Sequence, residues 1–354
     1  MLSYISYFKK VPAFSIAVLI ICLFEITLHF LPNLHYFDGK GAFFTYYKRY
    51  IAEKGKEDFD IVMYGDSRSL SINGNPKDDN HKYSFYNFSL PAAGPWYFKF
   101  FLKKYLKYHN PPKLVIWAVD PQQFATKKTE AFHDNPALWN EFKHRLLNLF
   151  TIGETIEQYE GMELFFILKE YIPHSFLSVQ HRQGFESIIN SKATKVFNTP
   201  FLVKENRVVE KVVEQTYGQI NLGNFFMVPN IREVAEKERD NQLASLNGSG
   251  EFNLDPLKKF LEYSKENNLK VVVLNIPRLK EFNESLYFRK VTPAIKGLTS
   301  EFSNAKYLEF SDQDFDLDLL SESIHYNEKG SNKVNEDFSK EILPKLYDYI
   351  EGKE

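Results

Sequence analysis

Three runs in this sequence are built almost wholly of apolar residues: Ile61-Val62-Met63-Tyr64-Gly65, Leu114 to Val119, and Val271 to Ile276, where Asn275 is the one polar residue. A strand with one wet face alternates apolar and polar side chains, whereas an unbroken apolar run is buried on both faces. Strands of that kind belong in a parallel sheet covered by helices on each side. Between the first two runs lie a short strand signal, "KYSFYNFSL", a Pro/Ala/Gly turn, and an aromatic helix from about Trp96 to Tyr108, which Pro111 and Pro112 bring to an end. "LDPLKKFLEYSKENNLK" reads as a helix capped by Asp255 with Pro256 at its first position. "AKYLEF" is a shorter strand, and "NEKGSNKVNEDFSKEILPKLYDYI" is a terminal helix. The pattern predicts an α/β domain, a three-layer parallel sheet, over 58–124 and 251–354.

Residues 125–250 interrupt that alternation. "NPALWNEFKHRLLNLF" and "GMELFFILKEYIPHSFLSV" are amphipathic, and "VAEKERDNQLASLNGSG" reads as a charged surface helix ending in a loop. This region is expected to be a mainly helical insertion, or cap, on the sheet. Residues 33–57 read as a polar-aromatic connector.

The N-terminal segment Val11 to Pro32 is apolar except for Ser15, Glu25, Thr27 and His29. About 20 residues of helix match a bilayer core of about 30 Å. Lys9 and Lys10 just before it would keep the N-terminus in the cytoplasm. No small-residue cleavage site follows, and Ile21 occupies the position that lipidation of Cys22 would want small. Residues 1–32 are therefore expected to be an uncleaved, single-pass anchor in a bacterial inner membrane, with the main domain outside the cytoplasm. Glu25 and His29 are costly in lipid and lie on one helical face, where they would reach the interface or meet a membrane-protein partner.

The 354 residues suffice for a sizeable core, and 33 Phe and 21 Tyr supply it. With 44 basic and 46 acidic residues, no nucleic-acid partner is indicated. A single cysteine rules out an intrachain disulfide. His109, His133 and His144 have no ligand spacing and read as surface residues. Asp312, Asp314, Asp316 and Asp318 alternate as in a calcium loop, but the glycine and terminal Glu of such a loop are missing, so no metal is expected. Nor does any segment imply a cofactor.

In an open α/β sheet, functional groups gather at the carboxyl ends of the strands. Ser67 follows the first strand, Gly94 the second, and Asp120, Gln122 and Gln123 the third. Asn275 and Arg278 end the next, and a late loop supplies "SESIHYNEKG". A serine hydroxyl attacks well only when a base takes its proton, and an acid commonly orients that base. Ser67 and His325 fit the first two roles. Glu322, three residues before the histidine, is the first candidate for the third, with Asp318 in reserve. Each has a plainer reading: Ser67 as a helix N-cap, His325 as a surface residue, Gly94 as a turn glycine, Arg68 and Arg278 as salt-bridge partners.

The blocks "YGDSRS", "NFSLPAAG" and "ExxHxNxxG" (Glu322, His325, Asn327, Gly330) resemble those of the SGNH/GDSL hydrolase superfamily. "VDPQQF" is similar to a stretch in its membrane-anchored branch, which includes the D-alanyl transfer protein of teichoic-acid D-alanylation and the polysaccharide O-acetyltransferases. The resemblance implies an SGNH, flavodoxin-like sheet with Ser67 as nucleophile and His325 as base. It also implies an oxyanion hole from the Ser67 and Gly94 amides. Two positions depart from the pattern. Ala118-Val119-Asp120-Pro121 stands where the family has Gly-x-Asn-Asp, which removes a third oxyanion donor worth about 3 kcal/mol. Gln122 or Gln123 would have to replace it. Glu322 stands where the family has Asp. The expected function is a serine acyltransferase or esterase acting through an acyl-enzyme on an envelope glycan or polymer, with Arg68, Gln122, Gln123 and Arg278 as candidate substrate contacts. The alternative is a catalytically inactive module of the same fold that binds glycan or a membrane partner.

Overall fold

The computed structural model describes residues 2–30, 47–53, 55–75, 82–91, 93–125, 176–180, 185, 198–219, 232–248 and 250–353. The chain forms two compact units, residues 1–46 with 140–209, and residues 47–139 with 210–354. This division differs from the one drawn on the sequence. The amphipathic stretch 135–150 and most of 161–179, together with His133 and His144, lie outside the described residues.

In the first unit, helix α1 runs over Leu2–Phe30. Its side chains are described from Pro12 to Leu28 and at Phe30, and those of Phe14, Ile20 and Phe30 are exposed. Among the described residues no helix is long and apolar enough to cross a membrane, so the expected span is unsupported here. Glu25 does not stand alone on α1. It is buried, and its carboxylate accepts the backbone N–H groups of Leu177 (3.0 Å) and Ser178 (3.2 Å) at the start of the helical turn Leu177–Gln180. The charge is thus satisfied within the chain, by donors the sequence gave no reason to pair with it.

The second unit holds the sheet. Its strands are β1 (Ile61–Gly65), β2 (Phe85–Asn87), β3 (Leu114–Val119), β4 (Val271–Asn275) and β6 (Ala305–Glu309). They are all parallel, in the order β2-β1-β3-β4-β6. Every residue of β1, β3 and β4 is buried, as unbroken apolar runs require. Only the edge strand β6 is partly wet. A separate pair, β5 (Arg278–Leu279) with β7 (Asp314–Phe315), sits beyond the end of β4.

Helices cover both faces. Tyr64 and Trp117 are register partners and share one face. There Phe98 and Phe101 of helix α2 (Pro95–Tyr108) meet Trp117 and Tyr64 edge-on. Phe260, from a helix further along the chain, meets Trp117 on the same side. On the other face Phe338 packs on Phe85, and Lys306 and Lys270 reach Tyr349. Burying each large apolar side chain contributes about 1.5–3 kcal/mol, so these aromatic contacts anchor the layers.

The remaining helices of this unit are α3 (Asn198–Gln215, from Glu210 onward), α4 (Arg232–Gly248), α5 (Asp255–Glu266, which carries Phe260), α6 (Leu286–Ser300), α7 (Glu328–Asp337) and α8 (Leu343–Glu351). Asp255 is the first residue of α5 and not its cap; Asn253 Oδ1 accepts the Asp255 N–H at 2.8 Å. His109 is buried rather than superficial. Its ring bonds to Asp58 (3.1 Å) and to the Ile51 carbonyl (3.0 Å) and stacks on Tyr105. The two ends of the sequence insertion meet in an antiparallel bridge, Ala125 with Phe252. Its last part also joins the sheet: the Asn87 N–H donates to Tyr217 O, and Gly218, at φ +85°, passes so close that a Cβ would lie 2.2 Å from Asn87 O.

Candidate active site

The strand order reverses direction between β1 and β3, the place where open parallel sheets gather ligands. Ser67 leaves β1 there. The glycine before it is a packing requirement: a Cβ on Gly65 would sit 2.1 Å from Ser69 Oγ and 3.0 Å from Ala118 O. Asp66 Oδ1 accepts the Arg68 N–H at 3.0 Å, a local turn that throws Ser67 outward. Ser69 Oγ donates to Asp66 O (2.9 Å) and contacts Ser89 Oγ (2.8 Å). Asn87 Nδ2 donates to Ser69 O and Ile72 O. The turn is therefore tied down on every side except the one Ser67 faces, and Ser67 remains partly exposed.

The late loop is built as tightly. Leu320 and Tyr326 form an antiparallel bridge, and the Ser321 N–H donates to His325 O at 2.8 Å. This closes a hairpin whose tip carries Glu322 and His325. Asn327 caps α7 by accepting the Gly330 N–H (3.0 Å), and its Nδ2 donates to Asp318 O and Leu320 O. Gly330 must be glycine for contact reasons, since a Cβ would lie 2.0 Å from Leu319 O. Asn335 of α7 brackets the other side of the site: it accepts the Asn73 N–H and donates to Ser71 O, both at 2.7 Å.

Together these ties bring two segments 258 residues apart into contact, with His325 Nε2 2.7 Å from Ser67 Oγ. On the far side of the ring, Nδ1 is hydrogen-bonded to Glu322 Oε1. A carboxylate only accepts, so Nδ1 carries the proton and Nε2 is left to accept from the serine hydroxyl. Asp318, the reserve acid, instead pairs with Lys329 at 2.9 Å. Among the described residues no group of three acidic, His or Cys side chains is arranged to hold a metal. Asp312 pairs with Lys333 (3.0 Å), and Asp314 accepts from Asn283 (2.8 Å).

Behind Ser67 lies a buried ion cluster. Arg68 pairs with both Asp66 and Asp120, and Arg278 approaches Asp120 at 3.9 Å while donating to Asn275 (2.5 Å) and Asn283 (2.7 Å). Burial pushes the Asp66 carboxyl up, but the charge and hydrogen bonds of Arg68 outweigh it and bring it down to about 2. Burial also lowers the Arg278 guanidinium, with Asp120 pulling the other way. Both arginines are spent on structure and are not open to a substrate. Gln123 is buried beside Trp117 (3.4 Å). Of the four candidate substrate contacts, Gln122 alone is partly exposed. Its Oε1 accepts from Arg68 at 3.4 Å and its N–H donates to Asp120 at 2.6 Å. Gly94 is the N-cap of α2, in an extended conformation open to any residue.

Two side chains of the surroundings escaped the sequence reading. Lys48 is fully buried, and its Nζ donates to Asn87 O (2.5 Å) and Ser89 O (2.8 Å), holding the segment that leads to Gly94. Burial lowers its ammonium well below the usual lysine range. Burial first, and then the charge of Glu322, raises the carboxyl of Glu238 on α4. Neither belongs to a motif; a lysine and a glutamate on helical stretches carry no signal of where tertiary packing will put them.

The family profile of DUF1574, described as a protein of unknown function, matches residues 33–329. No curated protein matches the chain. One similar solved structure, from Streptococcus pneumonia, is provisionally described as a platelet activating factor. It is 9% identical, covers 93% of this chain and 99% of its own, and superposes with a TM-score of 0.38.

Proposed function

We propose that this chain, which belongs to the DUF1574 family, is a serine acyltransferase or esterase of SGNH type that works through an acyl-enzyme. The observation that carries the reading is the relay from Glu322 Oε1 through the His325 ring to Ser67 Oγ, with Ser67 Oγ and His325 Nε2 2.7 Å apart. Ser67 Oγ attacks an ester or thioester carbonyl while its proton passes to His325 Nε2. Glu322 holds the tautomer and stabilises the imidazolium. The backbone amides of Ser67 and Gly94 are the proposed oxyanion donors, and the Gln122 side-chain amide the candidate third. The imidazolium returns its proton to the departing group. A sugar hydroxyl or water, deprotonated by the same nitrogen, then releases the acyl group from Ser67.

The acceptor we propose is a cell-envelope glycan or polymer, reached from a membrane tether. The apolar stretch Val11 to Pro32 and the exposed Phe14, Ile20 and Phe30 of α1 support the tether. The motif blocks of the sequence support the SGNH assignment.

The test is covalent labelling of the full chain in detergent by a fluorophosphonate. Wild type should be modified at Ser67, while Ser67→Ala should not be labelled and His325→Ala should label at least about 100-fold more slowly. Folded wild type that resists the probe would refute the nucleophile. Envelope glycans from cells carrying Ser67→Ala would show lost acylation; an unchanged profile would refute glycan transfer.

A further inference from the structure

The stretch 33–57, a connector on the sequence pattern, carries a side chain that reaches the site. Lys48 lies on the short helix 47–53 and is fully buried. That helix is pinned on two sides: the Tyr47 hydroxyl donates to Glu214 of α3 (2.5 Å), and the Ile51 carbonyl meets the His109 ring (3.0 Å). From this platform the Lys48 ammonium donates to two carbonyls, Asn87 O at 2.5 Å and Ser89 O at 2.8 Å. The strand explains the spacing of these acceptors. β2 is an edge of the sheet, and Phe88 and Leu90 turn their N–H groups inward to Met63 O (2.7 Å) and Gly65 O (3.0 Å). The carbonyls of residues 87 and 89 therefore face outward, away from β1. An ammonium has three donors and no acceptor, so one lysine can hold both carbonyls as a neighbouring strand would.

Asn87 and Ser89 are also the residues that hold the nucleophile turn. Asn87 Nδ2 donates to Ser69 O (2.9 Å) and Ile72 O (2.8 Å), while its Oδ1 accepts the Ser89 N–H (2.9 Å). Ser89 Oγ meets Ser69 Oγ (2.8 Å), and Ser69 Oγ donates to Asp66 O (2.9 Å). Asp66 O and the Ser67 N–H belong to one peptide group. That group is planar, so fixing the oxygen on one side fixes the direction of the N–H on the other. The Ser67 N–H is a proposed oxyanion donor, and such a donor works only when it is aimed in advance. We propose that Lys48 is a positioning residue of this site: by clamping the Asn87 and Ser89 carbonyls it sets, through Ser89 and Ser69, the direction in which the Ser67 amide points. The inference rests on the serine-nucleophile reading and deepens it.

The experiment follows fluorophosphonate labelling of the full chain in detergent against probe concentration, which separates the maximal rate from the half-saturating concentration. Lys48→Met fills the buried site with an apolar chain and removes the donors. It should slow the maximal rate about 10- to 100-fold and leave half-saturation within about 2-fold of wild type. Ser89→Ala cuts the link to Ser69 and keeps the lysine; it should slow the maximal rate about 3- to 10-fold. In the double variant the two losses should not multiply, because both act along one route. A Lys48→Met protein that unfolds at lower urea yet labels at the wild-type maximal rate would reduce the lysine to a structural contact. That result, or losses that multiply in full, would overturn the inference while the nucleophile stands. If Lys48→Met does not fold, Ser89→Ala decides alone, and a wild-type maximal rate there overturns it. Wild type that does not label at all would overturn the serine reading and this one with it.

Discussion

Replacing Asp120 by Asn removes one charge from the cluster behind Ser67 and little else. In the native chain Asp66 and Asp120 balance Arg68 and Arg278, with the side chains of Asp120, Arg68 and Arg278 only 1%, 10% and 4% exposed. Water cannot replace the lost partner there. Asn still offers an Oδ1 to the Gln122 N–H, so the local turn survives. Breaking one side of a buried pair costs about 3–5 kcal/mol because it strands the opposite charge. Arg68 keeps Asp66, so we expect the lower end, about 3 kcal/mol. The assay is urea unfolding of the full chain in detergent, followed by fluorescence of the buried Trp117. A companion variant, Asp120→Asn with Arg278→Met, removes the stranded cation at similar volume and should regain at least half of the loss. A cost below about 1 kcal/mol, or a double variant that simply adds two losses, would refute the view of these four side chains as one neutral unit.

Two further outcomes follow. Gly330→Ala drives a methyl onto the Leu319 carbonyl, so the hairpin must shift; we expect about 1–3 kcal/mol of lost stability and a drop in Ser67 labelling, and a variant with wild-type labelling would contradict the contact. Asp66 has its carboxyl depressed from 3.8 to about 2. A depressed acid contributes stability that is complete above the unfolded value and fades as pH falls toward the folded one. Asp66 should therefore account for about 2 kcal/mol of the unfolding free energy lost between pH 4 and pH 2, and Asp66→Asn should lose that much less than wild type over the interval.

Much of this architecture was legible because some signals are one-dimensional. Continuous apolarity in Ile61–Tyr64 and Leu114–Val119 admits burial on both faces and little else. The glycines of the first and last blocks were legible as motif letters, and the structure supplies their reason: Gly65 and Gly330 sit where a Cβ would strike neighbouring atoms. What stayed hidden depends on which partner a side chain finds. Arg68 and Arg278 look like anion hooks until Asp66 and Asp120 are seen beside them. Glu25 looks stranded in an apolar helix until the amides of Leu177 and Ser178 cap it. Lys48 lies far in sequence from the segment it holds, and nothing in its neighbours announces the contact.

The bridge between Ala125 and Phe252 has a wider consequence. Because the chain departs from the sheet and returns at adjoining points, the excursion between them adds length without prying the flanking strands apart. Closing such an excursion costs only about 0.6 kcal/mol more for each doubling of its length. Ser67 lies before that doorway and His325 after it, so a change in the length of the excursion leaves the chain around each of them as it is.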